Sequence, residues 1–527
     1  MGKAGLYFNT IIRLSSKQVL YQCLRRFNGK LRSLFGIKYK FSHYKEGNLL
    51  HLKQVVLKYE TLKDGVFTFI NLPAEFKGEW ENKELGPLWS FNINYMDYLL
   101  QPSMGAEEGK KWIFRFIETE KNNKVGMAPY CISLRFVNWV KFLSINKKSF
   151  SVEEKRVVDT SLYSQYRILD RNLEYNLAGN HLLENIFTLL WAAYYFDDKT
   201  IFRKASRLLK RELEKQTLPG GANYEQSPMY HCIILDRVLD AVNLLQNNGR
   251  FEGDKELLAF LRDKAELMFG WLQYICYEDG SYPLFNDSAK EIAPLPSALF
   301  DYASRLGIRG EASVDKAAGY YAARGSNYEL RMDVGGIAAS YIPGHSHADT
   351  FNFELRVGGK PFIVDTGISN YNICERRFYE RSTAAHNTVV VNGEDSSRVW
   401  SAFRCAQRAE VVAVDEGDGS ITATHNGYRK QGVMHTRSFS WEKERVTVKD
   451  KLTKNVQAVA YLHFAIGVDV SLKDNTLSTP YADIIFSGAK NIEICAGEYS
   501  TEYNRFKKCV VTAVTFEGEL TTIVTVR

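Results

Sequence analysis

Near residue 320 the periodicity of apolar residues changes, and this constrains the fold more than any other feature of the sequence. Before it, apolar side chains recur at helical spacing over 132–143, 181–196, 200–215, 228–247, 255–276 and 296–306. Turn-forming runs such as Leu218-Pro219-Gly220-Gly221 and Glu278-Asp279-Gly280-Ser281 separate these segments. Helix after helix, without a strict repeat, predicts an antiparallel (α/α) toroid rather than a regular solenoid. After residue 320 come short alternating runs rich in Val, Ile, Thr and aromatics: 337–341, 351–357, 388–391, 408–414, 420–424, 446–449, 459–464 and 521–526. These predict an antiparallel β-sandwich. Helices first and strands afterwards predict two juxtaposed domains with a ligand cleft between them. The expected division is a helical segment over 1–50 packing on the toroid, the (α/α) toroid over 51–320 and the β-sandwich over 321–527.

At 527 residues the chain is long enough for such a division. A net charge of +7 tolerates an acidic substrate without demanding one. No dense Lys/Arg block interleaves with aromatics, so no nucleic-acid partner is expected. No run of 18 apolar residues is present, which excludes a transmembrane segment. The first residues lack the apolar region and cleavage site of a signal peptide, so a cytoplasmic location is expected. Eight cysteines spread singly, with no C-x-x-C, read as buried free thiols. Residues 12–35 form a basic amphipathic helical pattern. Its plain reading is a docking helix for the rest of the domain, and its sharper one is peripheral membrane association.

The densest chemistry lies in the β-rich part. Of ten histidines, three fall within Gly344-His345-Ser346-His347-Ala348-Asp349 and Ala385-His386-Asn387-Thr388, on either side of Asp365-Thr366-Gly367. An H-x-H pair on an extended segment places both imidazoles on one face. A carboxylate and a third imidazole complete an N/O site of the kind a divalent metal such as zinc prefers. His347, Asp365 and His386 are the candidate ligands, with His345 at the edge; Asp349 is an alternative to Asp365, or a group holding an imidazole. In the helical part, His181 and Glu184 share a helix face, and Asn180 sits where a helix N-cap would. Pro228 fits a first helical turn, placing Tyr230 just inside it.

Together these segments resemble the heparinase II/III family of polysaccharide lyases, over nearly the whole chain. The matching segments are Leu88-Trp89-Ser90-Phe91-Asn92-Ile93-Asn94-Tyr95-Met96-Asp97-Tyr98 and Pro129-Tyr130-Cys131-Ile132-Ser133-Leu134-Arg135-Phe136-Val137-Asn138-Trp139, then Asn180-His181-x-x-Glu184 and Glu225-x-Ser227-x-x-Tyr230. In the β-rich part they are His345-x-His347-x-Asp349, Asp365-x-Gly367 and His386-Asn387-Thr388. The resemblance implies the toroid and sandwich, and β-elimination of an acidic, uronate-containing polysaccharide. It implies Tyr230 as the catalytic tyrosine, His345 as the second proton-transfer residue, and Asn180 and His181 on the uronate carboxylate. It also implies one divalent metal on His347, Asp365 and His386, with zinc favoured over calcium. Tyr371 is the nearest candidate for a further tyrosine, with Tyr379 competing. Glu184, Glu225, Arg135 and Asn138 are candidate substrate contacts, as are Arg376 and Arg381. Family lyases are mostly exported, so the missing export signal turns the expected role toward surface-polysaccharide synthesis or turnover.

The chemistry explains the residue types. Elimination removes the C5 proton, alpha to a carboxylate, and expels the glycosidic oxygen at C4. Donors such as Asn180 and His181 neutralise the developing enolate-like charge, each contributing about 3–4 kcal/mol. A tyrosine serves as both base and acid if neighbouring positive charge lowers its phenol pKa. His345 serves as base where the C5 epimer turns its proton to the other face. Three rivals compete: a cupin-like metal site using Glu354 after His345-x-His347, a glycoside hydrolase using Glu184 and Glu225, and a non-catalytic glycan-binding protein of an assembly system.

Overall fold

The computed structural model of the chain describes residues 2–34, 41, 43–312 and 316–527, with the backbone alone described over 28–34. Two helices come first, α1 (Lys3–Ile11) and α2 (Ser16–Leu34). The helix expected over 12–35 is α2, which begins at Ser16, and the further helix α1 precedes it. The break is a new helix start: Ser15 Oγ accepts from Gln18 N–H and Gln18 Oε1 accepts from Ser15 N–H, a reciprocal capping box. Phe35, where the expected helix ended, lies outside the described residues.

The helical domain comprises α3 (Gly86–Tyr95), α4 (Ala106–Thr119), α5 (Pro129–Ile145), α6 (Val152–Asp170), α7 (Gly179–Phe196), α8 (Lys199–Gln216), α9 (Pro228–Asn248), α10 (Asp254–Ile275) and α11 (Pro296–Leu306). All six expected helical segments are found. α5, α7 and α9 are buried nearly all round and pack on one another, while α6, α8 and α10 turn polar faces outward and close on them. That double layer is the expected toroid. Charges on the inner helices are paired: Arg237 with Glu184 and Asp236, and Lys141 with Asp240.

The remainder is antiparallel sheet. Four strands, Tyr320–Arg324, Tyr328–Asp333, Phe353–Val357 and Lys360–Ile363, pair in sequence order. A ten-stranded sheet contains Ser420–His425, His435–Trp441, Arg445–Leu452, Gln457–His463 and a long hairpin, Ala482–Glu502 with Arg505–Val526. Phe353, Leu355, Phe439, Val448, Phe516 and Val524 share the core of this domain. The expected strand over 337–341 is irregular chain, with Ala339 in the left-handed region at φ 49°. The one expected over 408–414 begins at Val411 and runs to Gly417.

The two domains are bolted by buried polar contacts. Arg331 donates to the carbonyls of Ile275 and Cys276 at the end of α10. Glu354 accepts from Tyr277 Oη at 2.8 Å and from Leu284 N–H at 2.9 Å. Burial pushes the Glu354 carboxyl up to about 7. This residue is an interdomain brace, which removes the carboxylate the cupin-like reading needs. Of the eight cysteines, none is in a disulfide; Cys23 and Cys495 are exposed and Cys374 half-buried, so the expectation of buried thiols holds for the other five.

Candidate active site

Three short turns set the site, each preceded by a non-glycine residue with positive φ: Ala178 (58°), Gln226 (54°) and Asn286 (57°). Such strain persists only where surrounding structure over-determines it. At the first turn, Gly179 has φ 53°, and a Cβ there would come within 2.5 Å of Glu225 Oε1, so glycine is required. Asn180 then lies inside the first turn of α7. It is not the N-cap expected of it; Glu225 does that work from another segment. The Glu225 carboxylate accepts from the Asn180 backbone N–H at 3.0 Å and from its side-chain amide at 3.1 Å. His181 is partly exposed, stacks on Tyr130 at 4.3 Å and places Nδ1 3.3 Å from Glu174 Oε2. Burial alone would raise the Glu174 carboxyl, but His181 and Arg25 hold it below its ordinary value.

At the second turn, Ser227 caps α9: its Oγ accepts from Tyr230 N–H and donates to the Asp287 carbonyl at 2.7 Å. The spacing Ser227-x-x-Tyr230 therefore fixes the tyrosine at the helix start and ties it to the third turn. There, Asn286 Oδ1 accepts from His347 N–H, and Asp287 N–H donates to the His345 carbonyl. His345 and His347 lie in a loop rather than on the expected strand, yet both imidazoles reach one carboxylate. His345 Nδ1 is 2.9 Å from Asp287 Oδ2, and His347 Nε2 is 2.8 Å from Asp287 Oδ1. Arg377 grips the same carboxylate with both terminal nitrogens, at 2.5 and 2.8 Å. Although burial opposes ionisation, Arg377 and the two histidines hold Asp287 well below the usual carboxylate range.

Tyr230 lies against His345 with ring centroids 3.9 Å apart, and its hydroxyl is 3.2 Å from Tyr371 Oη. Glu225 Oε2 is 3.5 Å from His345 Nε2, so one carboxylate links Asn180 to His345. Tyr371 is thus the tyrosine at the site, whereas Tyr379 stands beside Arg376 on the short helix α12 (Glu375–Glu380). The condition under which Tyr230 would be base as well as acid, a phenol lowered by neighbouring positive charge, is not met here. Burial pushes the phenol well above its ordinary value and the neighbouring Asp287 and Glu225 add to this, against the hydrogen bond from Tyr371. The nearby positive charge, Arg377, is consumed by Asp287.

Several candidate substrate contacts are structural. Arg135 is fully buried and donates to Gln165 and to the carbonyls of Asn94 and Gly126. Asn138 donates to Tyr95 and Asp97 from the same helix. Glu184 is buried against Arg237 at 2.9 Å, so it cannot act with Glu225 as a hydrolytic carboxylate pair. Arg381 is buried and supports the Ser346 carbonyl between the two histidines, while Arg376 pairs with Glu380 and Glu498. A cavity of 410 Å³ adjoins the site rather than containing it, lined by Lys215, Tyr224, Gln226 and Tyr341 among others.

On the sheet side, Asp365 Oδ2 accepts from His386 Nδ1 at 2.8 Å and Asn352 Nδ2 at 2.5 Å, and its Oδ1 accepts from Gly367 N–H at 2.7 Å. Asp365 therefore stands behind His386 with both oxygens engaged. Burial holds His347 neutral, down to about 3. The outer nitrogens His347 Nδ1, His386 Nε2 and His463 Nε2, and also Asp349 Oδ2, are buried without a hydrogen-bond partner. The His347 and His386 rings are 5.3 Å apart. Among the described residues, however, no three such side chains are gathered closely enough to hold a metal ion. His347 and His386 fit a metal in kind, each imidazole oriented by a carboxylate on one nitrogen with the other left over, whereas His463 Nδ1 faces the Asn387 amide oxygen.

Asp287, Arg377, Glu174 and His463 were not anticipated. Asp287 follows an unremarkable Leu284-Phe285-Asn286, and Arg377 sits in Glu375-Arg376-Arg377, which reads as a solvated helix face.

Comparison with known proteins places this geometry. Residues 107–304 match the model of the heparinase II/III N-terminus, and residues 310–526 that of the heparinase II/III-like C-terminal domain. A heparin-sulfate lyase of Bacteroides stercoris is 24% identical over 320 residues, covering 55% of this chain and 46% of that protein. One from Pedobacter heparinus is 25% identical over 338 residues, covering 56% and 50%. The chain thus spans about half the length of the curated relatives it matches. Among solved structures, heparinase III superposes with TM-score 0.63 at 17% identity, covering 89% of this chain and 80% of that one. Heparan sulfate lyase HepC from Pedobacter heparinus gives 0.58 at 18%, covering 85% and 78%. These likenesses establish a shared fold.

Proposed function

The chain belongs to the heparinase II/III family, and on that premise we propose that it is a polysaccharide lyase cleaving a uronate-containing glycan by β-elimination. The observation that carries this reading is the stacked pair Tyr230 and His345, with Asp287 on His345 Nδ1. With Asp287 accepting at Nδ1, neutral His345 carries its lone pair on Nε2, which acts as the base once Glu225 Oε2, now 3.5 Å away, yields its place to the substrate. Tyr230, whose phenol is held protonated, is the acid. His345 takes the C5 proton, the C5–H electrons form the C4–C5 double bond, and the C4–O bond breaks with the oxygen taking the Tyr230 proton. Water is not consumed, and solvent exchange restores both groups. Asn180 and His181 would receive the uronate carboxylate, exchanging their present contacts with Glu225 and Glu174 for it. That the curated relatives act on heparin sulfate points to a sulfated glycosaminoglycan-like substrate class.

We also propose one divalent metal, zinc before calcium, on the sheet side. The unpartnered lone pairs of His347 and His386 support it, with Asp349 the carboxylate that has an oxygen to offer and Asp365 orienting His386. Such an ion would supply local positive charge and rigidity. The decisive experiment for the lyase is the ultraviolet absorbance of a 4,5-unsaturated uronate product, followed with a panel of uronate polysaccharides. A rise with the wild type that Tyr230→Phe lacks is expected; new reducing ends without absorbance would instead identify a hydrolase.

A further inference from the structure

The first 45 residues contain ten Lys and Arg and no Asp or Glu, in a chain whose net charge is only +7, so everything beyond them is net negative. Within this stretch, α1 and α2 dock by one face each. Tyr7 packs edge-on against Trp400 at 4.9 Å, and Thr10 Oγ1 accepts from the Trp400 indole. From α2, Gln18 donates to the Tyr341 carbonyl, Tyr21 packs on Tyr175, and Arg25 reaches Glu174 and Asn176. The pair therefore bridges the helical and sheet domains beside the active site; Glu174 is also the partner of His181.

The opposite faces are bare and apolar. On α1 and its end, Phe8, Ile11 and Ile12 are 65%, 51% and 57% exposed. On α2, Leu20, Leu24 and Phe27 are 56%, 43% and 61% exposed, at the i, i+4, i+7 spacing of one stripe. Gln18, Tyr21 and Arg25 lie on the other side of that helix, so docking and exposure divide cleanly. Isolated exposed apolar residues need no explanation, but a stripe on each of two successive helices does.

We infer that the outer face of α1 and α2 lies on the surface of an anionic lipid bilayer. Apolar stripes enter the acyl boundary while Lys and Arg meet acidic headgroups, the arrangement of an in-plane amphipathic helix. Charge argues against a second copy of the chain as occupant: the first 45 residues carry Lys and Arg and no Asp or Glu, so two copies of the segment would repel each other. No helix among the described residues is long and apolar enough to cross a membrane, so the contact is one of lying on it. Because α2 touches both domains at the cleft, docking would hold the active site beside the bilayer.

Co-sedimentation of the full chain with phosphatidylcholine vesicles, with and without phosphatidylglycerol, tests this. Binding to the anionic vesicles alone, weakening as salt rises, is expected. The double variant Phe8→Asp, Phe27→Asp should bind at least about tenfold less. Both side chains are mostly exposed, so circular dichroism and melting temperature should match the wild type. No binding to anionic vesicles, or undiminished binding by the variant, overturns the inference. So does a concentration-dependent dimer that the variant dissociates, which would assign the face to a second copy.

Discussion

Asp287 and His345 are joined by a 2.9 Å contact between Oδ2 and Nδ1, across the seam between the helical domain and the sheet domain. The other oxygen of the same carboxylate takes His347 Nε2, so one buried side chain orients both histidines of the H-x-H pair. Neither domain alone contains the base in its working form.

Asp287→Asn should therefore lower kcat by about a hundredfold or more, with a smaller effect on KM, because the amide no longer fixes the Nδ1–H tautomer. The folded structure should survive better than in Asp287→Ala, which strands the buried Arg377 charge at a cost of about 3–5 kcal/mol. Steady-state kinetics beside thermal melts separates the two effects. An asparagine variant with wild-type kcat would remove Asp287 from the mechanism.

Tyr230 is held protonated, so its contribution should depend on the leaving group. With polysaccharide, Tyr230→Phe should lose about 10²–10⁴-fold in kcat. With a synthetic uronide carrying fluoride at C4, which departs without a proton, the loss should shrink to within about tenfold. His345→Ala should be equally inactive on both, since C5 deprotonation is common to them. Equal losses by the tyrosine variant on both substrates would make Tyr230 the base instead.

Much of this was legible in the residues. Outer helices such as α8 carry a 3.6-residue period because one face is buried, inner helices such as α7 read as long apolar runs because almost every side chain is buried, and Ser227-x-x-Tyr230 is readable as a cap with its first turn. α6 carries capping-box Ser151 and Glu154, but its surface-facing Glu153 and Arg156 dilute the apolar stripe, and no helix was expected there. The site's partners were hidden for a different reason. Asp287 and Arg377 lie 90 residues apart and acquire meaning only when the two domains close on each other. Arg135 misled in the opposite sense: an arginine in a matching segment looks like an anion contact, but here its donors are spent on main-chain carbonyls within the helical core.

The metal proposal has a readout independent of turnover. Elemental analysis of the purified wild type should find a single divalent ion per chain, which His347→Ala and His386→Ala each lose. Chelation should lower the melting temperature, and resupplying metal at a hundredfold above Kd should restore about 3 kcal/mol. Metal-free wild-type protein with unchanged stability on addition of zinc or calcium would dismiss the site.

Acid stability should bear the mark of a second buried carboxylate. Asp450 takes Arg437 Nε and Nη2 at 2.7 and 2.8 Å and His435 Nε2 at 2.7 Å. Arg437 Nη1 in turn holds the carbonyls of Phe351 and Asn387, the latter adjoining His386. Burial alone would raise the Asp450 carboxyl, but Arg437 and His435 bring it down to about 2. In the unfolded chain it titrates near 3.9, give or take its neighbours, so roughly two pH units separate the states. The folded pKa is the lower one, so this contribution is complete above about pH 4. It disappears as the pH falls toward about 2, where the folded protein must also bind the proton. The window corresponds to about 2.6 kcal/mol. Asp450→Asn should be less stable at neutral pH, because Arg437 is left buried without its counter-charge. The gap between its melting temperature and that of the wild type should then narrow as both are acidified through this window. A gap that stays constant down to about pH 2 would mean that Asp450 does not gain its low pKa from Arg437 and His435.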